Sequence, residues 1–126
     1  MKDNSMKNGA LNWVFCDGDL PPRGDNPDFI GHEALMITNV GEEDAHIEID
    51  VLFEDKDPET GITLQLKAKR VVCIRLDQPV GEQQYQIPYG QYALHVKSNT
   101  PVCAVFGRCD VRQTNLSYYS VNGVSF

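Results

Sequence analysis

From Ala45 to Glu54 the chain alternates: Ala45, Ile47, Ile49, Val51 and Phe53 fall on one side and His46, Glu48, Asp50 and Glu54 on the other, where only Leu52 breaks the polar face. A period of two is that of a strand with one face buried and one wet. The preceding run, Glu33 to Asn39 (EALMITN), is apolar on both faces, which predicts a strand covered on both sides or meeting another copy of the chain. Between them Asn39-Val40-Gly41-Glu42-Glu43-Asp44 is short, polar and glycine-containing, so the pair predicts an antiparallel β-hairpin. A hairpin alone is marginal in water, and the rest of the chain must close a core over it.

Asn12 to Cys16 (NWVFC) predicts a short strand ended by a turn at Asp17-Gly18-Asp19. Leu20 to Asp28 holds three prolines and a glycine, an extended surface loop that is neither helix nor central strand. Glu54 to Gly61 is a charged turn, and Ile62, Leu64 and Leu66 alternate with Thr63, Gln65 and Lys67 as a further strand. Arg70 to Leu76 follows as another, and Asp77 to Gln91 forms a second long loop with Pro79, Gly81, Pro88 and Gly90. Tyr92 to Lys97 and Val102 to Cys109 predict two strands separated by a turn at Ser98-Asn99-Thr100-Pro101, and Tyr118 to Val121 adds a last one. No segment repeats apolar residues at helical spacing. The expectation is a compact antiparallel all-β sandwich of seven to eight strands with no long helix. Residues 10–126 form its single domain, preceded by a disordered N-terminal tail over residues 1–9.

Composition narrows the function classes. At 126 residues, with 41% hydrophobic and 23% charged positions, the chain has the make-up of a soluble globular domain, and no apolar run reaches the ~20 residues of a membrane span. The opening MKDNSMKN lacks the apolar core of a secretory signal, which points to a cytoplasmic protein. A formal charge of −7 disfavours nucleic acid, whose binding rests on clustered Lys and Arg. Cys16, Cys73, Cys103 and Cys109 show no CxxC or metal spacing and are expected as reduced, small core residues.

Two polar clusters stand out. His32 and Glu33 are neighbours at a strand start, pointing to opposite faces, and without ligand spacing to His46 or His95 they suggest no metal. Arg108, Asp110 and Arg112 share one face of a strand after Val102, Ala104 and Phe106. Such a strand ends either in a structural ion-pair network or in a polar pocket, where Arg donates to carboxylates, phosphates or paired hydroxyls. No Ser-His-acid arrangement, no Gly-rich phosphate loop and no matched carboxylate pair is present, so neither a catalytic residue nor a cofactor is expected. Trp13 is either core or a ring for stacking on a ligand.

Taken in order, Trp13, Asp17-Gly18, Leu20-Pro21-Pro22, Phe29-Ile30-x-His32-Glu33, Asn39-x-Gly41-x-Glu43-Asp44-Ala45-His46-x-Glu48-Ile49, Arg70, Ser98-Asn99-x-Pro101 and Arg108-x-Asp110-x-Arg112-Gln113 resemble the Anabaena sensory rhodopsin transducer family over residues 10 to 121. The resemblance implies a β-sandwich, a homotetramer, and either of two functions. One is a non-catalytic module binding a small polar ligand such as a sugar; the other is a soluble transducer docking on a membrane receptor such as a sensory rhodopsin. It further implies that His32, Glu33, Arg108 and Asp110 line a polar cleft with Trp13 and Arg112 beside it. The Asp77 to Gln91 loop departs from the family's founding member.

Overall fold

The computed structural model describes residues 9–111, 117–121 and 123–126. Eight strands account for most of them: β1 (Ala10–Leu20), β2 (His32–Asn39), β3 (Ala45–Leu52), β4 (Glu59–Leu66), β5 (Arg70–Arg75), β6 (Gly90–Asp110), β7 (Ser117–Val121) and β8 (Val124–Ser125). All pairings are antiparallel, and no helix occurs among the described residues. The array forms two layers, β4-β3-β6-β1-β8 and β5-β2-β6-β7, because the 21-residue β6 belongs to both. Its first half pairs with β3 and β1, its second with β2 and β7. Between the layers lie Phe15, Leu35, Ile37, Ile47, Ile49, Leu94, Val96 and Phe106, all buried. The all-β sandwich expected from the alternation is the fold of the chain.

Several local expectations are corrected. β2 and β3 are not a hairpin: β2 pairs with β5 and β6, while β3 pairs with β4 and β6. The connection crosses between layers as an arch held by buried Asn39. Its amide nitrogen donates to Glu43 O at 2.8 Å and Leu66 O at 3.2 Å, and its Oδ1 accepts from Gly41 N at 3.0 Å. Side-chain capping of this kind satisfies backbone groups that a hairpin ladder would otherwise have used.

The expected turn at Ser98–Pro101 is not a reversal either. The strand continues, and these residues mark where β6 passes from pairing with β3, which ends at Ser98, to pairing with β2, which starts at Cys103. Pro101, which has no N–H to donate, sits in the interval between the two ladders. β1 likewise runs through Asp17-Gly18-Asp19 to Leu20, absorbing the irregularity as a register shift between Phe15 and Gly18. Two strand limits also move: β4 starts at Glu59, inside the expected charged turn, and β8 is an added pairing with β1.

The cysteines are not core residues. Cys16, Cys73 and Cys103 are exposed and Cys109 is half-buried. They occupy the outward positions of apolar strands, so local apolar character misplaced them; strand parity decides the face.

Candidate functional site

The start of β2 and the end of β6 meet at Glu33 and Arg108, which are direct cross-strand partners in the second layer. Both side chains point inward, since they alternate with outward His32 and Cys109. Glu33 is fully buried and the Arg108 side chain is 8% exposed. Arg108 Nε donates to Glu33 Oε2 at 2.6 Å, and the Tyr92 hydroxyl, from the first layer, donates to Oε1 at 2.6 Å. The Asp19 backbone N–H donates to both oxygens, at 3.2 and 3.0 Å. Arg108 Nη2 donates to the Asp17 carbonyl at 2.7 Å and lies 4.0 Å from the Asp17 carboxylate.

This arrangement takes the place of a strand along one stretch of β1. On the side of Asp17–Asp19 away from β6, one carbonyl and one amide are met by a guanidinium and a carboxylate from the opposite layer. The cluster is therefore a clamp between layers, with a buried charge paired and hydrogen-bonded as burial requires. Gly18 makes room for it: a Cβ there would stand 2.7 Å from the Tyr92 ring. Burial, and then the negative charge and hydrogen bond of Glu33, push the Tyr92 hydroxyl well above the usual tyrosine range. It stays protonated as a donor.

Other residues singled out from the sequence lie around the clamp without joining it. His32 faces the opposite side of β2, with Nδ1 2.7 Å from the Ile30 carbonyl, which makes Nδ1 the protonated nitrogen. Trp13 donates its indole N–H to Val102 O at 2.9 Å and stacks on Phe15, which stacks in turn on Phe106. Asp110 is half-buried at the end of β6, opposite Ser117. Arg112 lies outside the described residues.

The family model "Anabaena sensory rhodopsin transducer" matches residues 8–124. The chain belongs to the Anabaena sensory rhodopsin transducer family. A solved structure titled "Crystal Structure of Thermotoga maritima 1070" is similar at 32% identity with a TM-score of 0.82, covering 94% of this chain and 97% of that one. The structure titled "Anabaena sensory rhodopsin transducer" is similar at 34% identity with a TM-score of 0.70, over 84% of this chain and 93% of that one. No curated protein matches.

Two partners of the clamp were not singled out from the sequence in this role, although this transducer-family chain signals one of them. Tyr92 alternates with inward Leu94 and Val96, and a tyrosine on a buried face needs a partner for its hydroxyl. The backbone of Asp17 and Asp19 carries no such signal. Among the described residues no group of three His, Cys, Asp or Glu side chains is placed to hold a metal ion, and no helix is long and apolar enough to cross a membrane.

Proposed function

We propose that the chain works by binding and not by catalysis, as a signalling transducer that self-assembles and docks on a membrane receptor such as a sensory rhodopsin. The observation that carries this is the outer face of the second layer. Thr38 pairs with Val71 and Cys103, and Met36 with Cys73 and Val105, so these six side chains form two adjacent rows on one face. Val71 is 67% exposed, Cys73 and Cys103 are exposed, and the other three are half-buried. No charge lies among them.

The outer face of the first layer is unlike it. There Lys97 bridges Asp50 at 2.9 Å and Glu48 at 3.7 Å, and hydrogen bonding to Asp50 raises the Lys97 pKa. In a chain of net charge −7, copies repel one another over most of their surface, and the uncharged rows are where they can meet without like charges opposed. The proposed occupant of this face is a second copy, in a cytoplasmic homotetramer. Analytical ultracentrifugation should give a tetramer for the wild type and smaller species for Val71→Asp; a monomeric wild type at micromolar concentration would count against the assembly. Receptor docking is then tested by light-dependent co-elution of the tetramer with a solubilised sensory rhodopsin.

A second reading makes the clamp region a binding site for a sugar or related polar metabolite, using Trp13, His32, Glu33, Arg108, Asp110 and Arg112. The meeting of Glu33 with Arg108 supports it. It requires the ligand to displace the Asp17 and Asp19 backbone from the ion pair. A thermal-shift screen of sugars against wild type and Arg108→Ala separates the readings: a ligand that stabilises only the wild type favours binding, and an early-melting variant with no stabilising ligand favours the clamp.

A further inference from the structure

A second recess, apart from the clamp, opens where the Pro-rich loop folds over the end of β5, with Arg75 two residues past Cys73 on the outward side of that strand. It encloses about 200 Å³ and is lined by Arg23, Ile30, Gly31, Arg75, Asp77, Gln78 and Tyr89. Its walls are held by backbone. Gly31 N–H donates to Arg23 O at 2.8 Å, and a Cβ on Gly31 would stand 2.2 Å from the Pro22 carbonyl, so the loop closes this tightly only over a glycine. The floor is also held: Arg75 donates from Nε and Nη2 to the two Asp77 carboxylate oxygens, each at 2.8 Å, and Gln86 holds the Asp77 carbonyl at 3.2 Å.

The charges do not cancel inside it. Arg75 is matched by Asp77 and keeps Nη1 for another acceptor, whereas the exposed Arg23 guanidinium has no hydrogen bond or ion pair among the described residues. The lining therefore carries a net positive charge on a protein of net charge −7. Tyr89 shares the lining with the two arginines and is 70% exposed, so it adds an aromatic side chain open to solvent. A guanidinium fork matches a carboxylate, and an exposed ring offers a flat surface to the body of a ligand. Convergent donors around a preformed concavity with one aromatic wall are the elements of a small-ligand site.

We propose that this recess binds a small, ring-bearing organic carboxylate, with the carboxylate on Arg23 and Arg75 Nη1 and the ring on Tyr89. The site borders the uncharged rows through Arg75 but does not rest on them, and its failure would leave the assembly proposed above untouched. Because the charge is local, the electrostatic part of the binding weakens with added salt.

The test uses the full chain labelled for NMR, titrated with benzoate and glucuronate and with their neutral counterparts benzamide and glucose. The expected result is that both carboxylates shift the Gly31 and Gln78 amide signals at millimolar concentration and the neutral compounds do not. Arg23→Gln and Tyr89→Ala, both at exposed positions, should each weaken carboxylate binding about tenfold while melting at the wild-type temperature. Carboxylates that leave these amides unmoved, that bind both variants as well as the wild type, or that are matched by the neutral compounds would overturn the proposal.

Discussion

Tyr92 shows how one hydroxyl ties two layers together. At its depth an unpaired O–H would lose its hydrogen bonds to water without recompense, and Glu33 supplies a charged acceptor in place of water. Tyr92→Phe removes the donor and keeps the ring, so urea unfolding should show a loss of about 2 kcal/mol. Arg108→Ala should cost more, about 3–5 kcal/mol and roughly 10 °C or more in melting temperature, because it leaves the Glu33 carboxylate buried beside an orphaned Asp17 carbonyl. The raised Tyr92 pKa also sets a pH dependence. Its contribution is fully present below the unfolded tyrosine value of about 10, and it declines as pH rises above that, since the unfolded chain then loses a proton the folded chain keeps. Alkaline denaturation should accordingly be less steep in Tyr92→Phe, and ultraviolet titration should detect tyrosinate at this position only with unfolding.

At the scale of the element, β1 and its glycine decide whether the clamp can form. A methyl group on Gly18 would press on the Tyr92 ring and the Tyr92 carbonyl, 2.7 and 2.8 Å from the new Cβ, both parts of a packed strand. Gly18→Ala should therefore destabilise by about 1–3 kcal/mol and speed hydrogen exchange at the Asp19 amide, whose acceptor is displaced. Gly61→Ala offers a contrast, since that position has open space around it and a φ of +79°. Its cost is backbone strain alone, about 1 kcal/mol, and exchange at Asp19 should not change.

At the scale of the molecule, the outward thiols report on assembly. Cys73 and Cys103 lie in the uncharged rows of the second layer, while exposed Cys16 lies on β1. If copies meet through those rows, a thiol reagent should modify Cys16 in the native wild type and spare Cys73 and Cys103, which become reactive in Val71→Asp. Mass spectrometry of the labelled chain checks this residue by residue, and equal labelling of all three in the wild type would place the interface elsewhere.

Alternation determined that this chain is all-β, a sandwich or a barrel, because a period of two buries one face of each strand in either, and the two long Pro-rich loops favoured the sandwich. It also placed the inward rows of β3 and β4 and singled out Glu33 and Arg108. Which strands are neighbours was decided by the tertiary structure. The polar link after Asn39 has the composition of a hairpin turn, yet it arches between layers because a buried side chain satisfies its backbone. The polar run at Ser98–Pro101 has the composition of another turn, yet β6 continues through it because new partners take up the ladder on the far side. The ion pair's partners were equally beyond reach of local pattern: Tyr92 and the Asp19 backbone approach Glu33 from the other layer, 59 and 14 residues away along the chain, and the Asp17 carbonyl approaches Arg108. Local sequence records what each face of a strand prefers to touch, and only the packed layers determine what it meets.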